Sequence, residues 1–250
     1  MNSIEEHRFF IKDTLRKSVD FRKTDQNRGV PAPPIQKPYD PEDRIIPLPS
    51  RKEWERRIAS VDIVSAISAR RSVRRFSSKS LTLEELAFLL WATQGLSDPS
   101  GKNPSLRTVP SAGARHSFET YLFVMRARDL APGLYRYLPL ENALLFVSPV
   151  ENMEDELTMA CFGQRYAGSG AVTFVWSCIP YRMEWRYDLS AHRVILLDAG
   201  HVCQNLYLAC RAVDAGTCAI GAYDQEKIDT LLGVDGKEEF AVYLAPAGKI

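Results

Sequence analysis

The 250-residue sequence predicts an α+β fold, and three observations carry that prediction. From about residue 60 onward, short β-type apolar runs at 120–126, 143–148, 172–178 and 240–245 are interspersed with longer helical patterns at about 152–165, 191–214 and 224–232. Helices segregated around a mixed central sheet are the architecture this order suits. A hydrophobic content of 45% is enough to bury one substantial core and a small appendage, and no internal repeat or low-complexity run suggests a solenoid or a disordered chain.

In chain order, residues 1–18 read as helical, and residues 31–49 hold seven prolines (31, 33, 34, 38, 41, 47 and 49). Proline at that density forbids regular helix and favours an extended arm. Two readings of the arm stand open: a floppy leader, or a strap around a partner chain. The chain therefore divides into an N-terminal helix and proline-rich arm over 1–59 and a folded domain over 60–250.

The domain opens with the apolar helix Val61–Ala69, whose Ile63, Val64 and Ile67 share one face and are expected to be anchored in the core. Thr82-Leu-Glu-Glu85 is a capping box with Leu81 and Leu86 placed as a hydrophobic staple, which starts a helix that runs to about Gln94 and ends at Gly95. Farther on, Asp198–Val213 carries the apolar stripe Val202, Leu206, Ala209 and Val213, with Gly216 as the expected left-handed stop.

The most informative chemistry follows the first of these helices, at Arg70-Arg71-Ser72-Val73-Arg74. A guanidinium is always charged and offers a planar fork of donors, so three of them on a tight backbone form a clamp for a phosphate or a similar oxyanion. The predicted ligand is a small phosphorylated molecule. Two further segments, Pro110-Ser111-Ala112-Gly113-Ala114 and Cys218-Ala219-Ile220-Gly221-Ala222, are rich in small residues.

These segments, taken together, resemble the nitroreductase family. The resemblance rests on Arg-Arg-Ser-x-Arg-x-Phe at 70–76, Pro-Ser-Ala-Gly-Ala-Arg-His at 110–116, Leu-Leu-Asp-Ala-Gly-His-Val-x-Gln-Asn-Leu-Tyr-Leu-Ala at 196–209, Cys-Ala-Ile-Gly-Ala-Tyr-Asp at 218–224 and Leu-Leu-Gly-x-Asp-Gly at 231–236. Within the family it is most similar to the SagB-type dehydrogenases, whose members include azoline-to-azole oxidases of peptide biosynthesis. The resemblance implies an α+β homodimer with one FMN per site at the subunit interface. It implies that Arg70, Arg71, Ser72 and Arg74, joined by Lys249, hold the phosphate and the polar edge of the flavin. Pro110, Ser111, Ala112 and Gly113 would lie against the ring from the partner chain, and Cys218, Ala219, Ile220 and Gly221 would face it near N5. A flavin, apolar in the ring and charged in the tail, needs this combination of small residues and cations.

The implied activity is hydride transfer between a substrate and flavin N5, with NAD(P)H as a candidate electron donor and oxygen as a candidate acceptor. The competing class is a non-catalytic flavin-binding or scaffold subunit of a peptide-modification complex. On the substrate side, Tyr181-Arg-Met-Glu-Trp-Arg-Tyr187 interleaves cations and aromatics, a pattern suited to a planar or anionic substrate, either a small molecule or a peptide, and equally to a helix packing at a dimer interface. Arg186 and Tyr187 are the candidate catalytic residues. The resemblance places a Lys-Tyr pair in azoline oxidases where this chain has Arg186-Tyr187, and an arginine cannot exchange a proton near neutral pH.

Other classes find no support in the sequence. A net charge of +1 gives no global field for nucleic acid, and no run of 18 apolar residues predicts a membrane span. The first ten residues carry two acids and no apolar segment, unlike a secretion signal, so a cytoplasmic location is expected. The five cysteines (161, 178, 203, 210 and 218) contain no Cys-x-x-Cys pair and fit neither a disulfide framework nor a zinc site. Most are expected as small core residues, with Cys218 beside the flavin loop. The glycine spacing at 216–221 lacks the Lys-Ser/Thr of a P-loop, and no Gly-x-Gly-x-x-Gly of a nicotinamide-binding domain occurs.

Overall fold

A computed structural model describes residues 3–98 and 106–250. Residues 1 and 2 of the expected N-terminal helix lie outside the described residues. The helix itself is α1, Ser3–Ile11, followed by a 3-10 turn over Asp13–Ser18.

Among the described residues, seven strands build the central sheet: β1 (Ile45–Pro47), β2 (Phe118–Val124), β3 (Gly133–Leu138), β4 (Ala143–Ser148), β5 (Val172–Cys178), β6 (Ala215–Thr217) and β7 (Phe240–Lys249). Their order is β1-β4-β3-β2-β5-β7-β6, and these strands pair antiparallel. Isolated parallel bridges at Ser72–Thr217 and Leu81–Ala127 give the sheet its mixed character. β4 and β5 have the expected boundaries. β3 was not foreseen, because Arg136 interrupts its apolar pattern; the side chain is nonetheless buried, with Nη2 donating to Pro38 O at 3.0 Å.

The remaining helices are α2 (Arg51–Trp54), α3 (Ile63–Ala69), α4 (Leu83–Gln94), α5 (Met153–Ala160), α6 (Tyr166–Ser169), α7 (Tyr181–Tyr187), α8 (Ala191–Ala209) and α9 (Gln225–Leu232). The capping box of α4 forms as its sequence requires: Thr82 Oγ1 accepts from Glu85 N–H while the Glu85 carboxylate accepts from Thr82 N–H. The main core packs α4 and α8 with Leu122, Phe174 and Trp176 of the sheet. A second cluster joins Tyr121, Phe123, Val175 and Leu244 to Leu157 of α5 and Ile228 of α9.

Three expectations are corrected. First, the apolar face of α3 is not in the core: Ile63, Val64 and Ile67 are 62%, 69% and 58% exposed in the single chain, and only Ala66 is buried. Periodicity reports that a face is apolar, and says nothing of whether its cover comes from the same chain. Second, the stop after α8 is Asp214, with φ 47° and ψ 41°, while Gly216 lies within β6. A Cβ at Gly216 would stand 2.5 Å from Val73 Cγ2, so glycine is needed there for close approach.

Third, the proline-rich arm is not a floppy leader: it is fastened to its own chain. Trp185 Nε1 donates to Val30 O at 2.9 Å, Lys37 N–H donates to Glu119 Oε1 at 2.8 Å, and β1 pairs with β4. Lys37 Nζ reaches Glu239 at 2.5 Å, so the arm supplies a counter-charge to a carboxylate of the body. A buried carboxylate needs such partners, which is why the arm is held.

Candidate active site

The arginine cluster leaves α3 and runs beside β6. Ser72 bridges Thr217, and Val73 N–H donates to Thr217 O at 2.9 Å, which sets the cluster against the loop that follows β6. Tyr207 of α8 stands between them. Its hydroxyl accepts from Ala219 N–H at 2.8 Å and lies 3.2 Å from Ser72 Oγ, while the Arg70 guanidinium sits 5.3 Å from its ring centroid. Arg74 stacks over Tyr166 at 5.6 Å, and the Tyr166 hydroxyl, then Cys218, push its pKa up. Arg71 curls back onto the carbonyls of Ser68 and Arg70.

None of Arg70, Arg71, Arg74 or Arg75 meets a carboxylate within ion-pairing distance among the described residues. Four arginines in six residues with no carboxylate partner make a region of concentrated positive charge. Lys249 is different: its ammonium is held by Glu85 at 2.5 Å and by Val213 O at 2.6 Å.

Of the loop amides expected to face a ligand, Ala219 N–H is bound to Tyr207 and Ile220 N–H to Leu244 O at 2.8 Å. Gly221 is exposed, and its N–H has no hydrogen-bond partner among the described residues. Cys218 is buried at 2% exposure.

The other small-residue loop, 110–114, lies at the opposite part of α8. Ser111 Oγ donates to Asp198 Oδ2 at 2.6 Å, and Ala112 N–H donates to the same oxygen at 3.2 Å. Gly113 has φ 58°, and a Cβ there would stand 2.7 Å from Tyr187 Oη and 2.8 Å from Arg186 Nε. Arg186 and Tyr187 therefore close directly on this loop. Arg182 and Trp185 do not share that position, which corrects the reading of 181–187 as one interleaved substrate face. Arg182 is buried, donating to Glu119 at 2.6 Å, and Trp185 is bound to the arm under Arg115. One side of α7 is structural, and its C-terminal end, Arg186 and Tyr187, packs against the 110–114 loop.

Asp198 and Tyr207 are nine positions apart on one helix. At 1.5 Å and 100° per residue, that separates them by about 13 Å along the axis and half a turn around it. A single chain thus anchors its two small-residue loops on opposite sides of α8. Sequence reasoning named neither residue as functional. The available signal was composition: within Ala191–Ala209, Asp198 is the one carboxylate and Tyr207 the one hydroxyl.

The profile of the nitroreductase family matches residues 67–249, and the chain belongs to that family. A Methanocaldococcus jannaschii protein named as a nitroreductase is 29% identical over 192 residues, covering 77% of this chain and 93% of that one. The fold is similar to a Ralstonia eutropha nitroreductase structure, with TM-score 0.67 and 22% identity over 88% of this chain and 98% of the other. It is also similar to a chain of the E. coli microcin synthetase McbBCD complex with truncated pro-MccB17 bound, with TM-score 0.61 and 18% identity over 86% of this chain and 78% of that one. The fold is thus nitroreductase-like, and the family indicates an oxidoreductase.

Proposed function

We propose that this protein is an FMN-dependent oxidoreductase whose flavin lies between two copies of the chain. The observation that carries the proposal is the set of arginines at 70–75 without a carboxylate partner, of which Arg70 stacks on Tyr207 and Arg74 on Tyr166, set against β6 and the loop that follows it. FMN is the usual cofactor of the family. Its single terminal phosphate fits a cluster of guanidinium forks, and its ring fits the small-residue loops.

In this reading Arg70, Arg71, Ser72 and Arg74 hold the phosphate and polar edge. The reading leaves Lys249 out of the clamp, because its ammonium already meets Glu85 and Val213 O. Gly221 N–H is the backbone donor that remains to steady the ring near N5, and a backbone donor serves well because it does not titrate. When bound, FMN supplies hydride transfer at N5. Pro110, Ser111, Ala112 and Gly113 come from the second copy, because α8 holds that loop on the side away from its own arginines.

Dimerisation is also favoured by the uncovered apolar surface. Ile63 lines a groove of about 420 Å³ together with Trp54, Ile58, Phe88 and Leu208, Val64 and Ile67 of the same helix are exposed, and Leu196 and Leu197 of α8 are about half exposed. An uncovered apolar face of this kind suits an interface between two copies.

Arg186 and Tyr187 orient the substrate over the ring, Arg186 as a fixed cation that exchanges no proton. This arrangement suits a SagB-type dehydrogenase of a small molecule or a peptide, with NAD(P)H or oxygen as the redox partner, acting in the cytoplasm. Among the described residues no helix is long and apolar enough to cross a membrane. The similarity to a chain of a peptide-bound synthetase complex favours one second reading: a flavin-holding subunit whose turnover depends on other chains.

The test is direct. Purified protein should be yellow and release FMN, and its bound flavin should react with NADH, NADPH or oxygen in stopped flow. Colourless protein that takes up no added FMN refutes the proposal; flavin that binds tightly and reacts with none of them favours the subunit reading.

A further inference from the structure

Asp198 is 5% exposed, sits in the middle of α8, and forms no ion pair among the described residues. We propose that Asp198 is the positioning residue of the flavin site, a buried latch that sets the loop 110–116 in the shape the flavin of the other copy meets. This rests on the flavin reading above.

A carboxylate buried without a cation is costly, and an apolar or amide side chain would be the cheaper occupant of a helix core position. What the charge obtains here is a set of charge-assisted bonds to one loop. Oδ2 accepts Ser111 Oγ at 2.6 Å and Ala112 N–H at 3.2 Å, and Oδ1 lies 3.4 Å from the same amide. Bonds to an ionised acceptor are shorter and about twice as strong as neutral ones. Ser111 Oγ then accepts His116 N–H at 3.0 Å, so one carboxylate controls both ends of the segment 111–116.

The segment needs that control. Gly113, Ala114 and His116 have φ of 58°, 53° and 48°. For the alanine and histidine this left-handed backbone is unfavourable and persists where surrounding bonds over-determine it. Gly113 is meanwhile pressed against Arg186 and Tyr187. Asp198 thus fixes the face that a ring would lie on, and indirectly the two side chains that would meet a substrate. Burial raises its pKa, and the Ser111 and Ala112 donors act against that rise.

The test uses Asp198→Ala, Ser111→Ala, the double variant and Asp198→Asn in the full chain. In flavin-free protein, amide exchange at Ala112 and His116 should speed at least ~10-fold in each alanine variant, with little further gain in the double, as expected of residues acting through one contact. FMN dissociation constants should rise about 10- to 100-fold in each single variant and no more in the double, with a changed visible flavin spectrum. Should Asp198→Ala fail to fold, Asp198→Asn carries the test: its one oxygen can stand where Oδ2 stands and accept both donors, but without the charge, so exchange at Ala112 and His116 should speed severalfold, less than in the alanine variant. A lowered melting temperature with unchanged exchange, FMN affinity and spectrum overturns the latch and leaves Asp198 a packing residue. A wild-type protein that takes up no FMN overturns the flavin reading instead, and with it the flavin half of this proposal.

Discussion

Tyr207 Oη accepts the amide proton of Ala219 at 2.8 Å and lies 3.2 Å from Ser72 Oγ, so one phenol on α8 ties the end of the arginine cluster to the loop that follows β6. These segments are far apart in sequence, and neither has a side chain of its own that bridges to the other at this point. The Arg70 guanidinium over the same ring adds a cation–π contact.

Tyr207→Phe keeps the ring under Arg70 and removes the hydroxyl. The Ala219 N–H, part-buried, is then left without its acceptor, at a cost of about 1–3 kcal/mol. The melting temperature should fall by roughly 2–10 °C, and FMN affinity should drop severalfold. Unchanged melting and affinity would mean that the two loops hold each other unaided.

Arg74→Ala removes one charge-assisted phosphate contact and should weaken FMN binding by about 1.5–3 kcal/mol, one to two decades in the dissociation constant. Fluorescence titration reads this directly. An unaltered constant would make Arg74 a surface charge stacked on Tyr166.

Ile67→Glu puts a charge on the exposed apolar face of α3. Burying an unpaired carboxylate at an interface is prohibitive, so sedimentation should find monomers, and FMN binding should weaken at least ~10-fold because half of each pocket is lost. A variant that stays dimeric shows that α3 faces solvent in the assembled protein.

Arg186→Ala should lower turnover while FMN affinity and the dimer persist, since positioning acts on the reacting geometry. Arg186→Lys should recover part of the rate by restoring the charge. Loss of flavin from Arg186→Ala would instead make the end of α7 a structural support of the 110–114 loop.

The thiols give a pH signature. Burial pushes Cys161 up to about 11 and Cys178 and Cys203 to about 12, from an ordinary value of 9.0. The folded protein keeps these protons while the unfolded chain gives them up near pH 9, so their contribution to stability is full below pH 9 and declines as pH rises toward 12. At pH 8 a thiol reagent should leave Cys161, Cys178, Cys203 and Cys210 unmodified in native protein and reach all five cysteines in denaturant. Rapid labelling of any of those four without denaturant would contradict the buried thiol environments.

What the sequence by itself determined is what local chemistry controls. Thr82 and Glu85 cap α4 because both halves of the box lie within one turn, and β4 and β5 keep their predicted limits because short, mostly apolar β-type runs leave one place to go. The family was legible for the same reason: each motif is contiguous. Tertiary structure decided everything that depends on a partner distant in the chain. Arg136 is a strand residue because Pro38 O and Glu119 meet it, and the arm is ordered because Trp185, Glu119 and Glu239 bind it. An apolar stripe reads alike whether its cover comes from the same chain or from another, so the exposure of α3 was invisible beforehand. Asp198 and Tyr207, on opposite sides of α8, became anchors only when the fold brought Ser111 and Ala219 to them, because a hydrogen bond is a relation between two atoms and the sequence supplies one at a time.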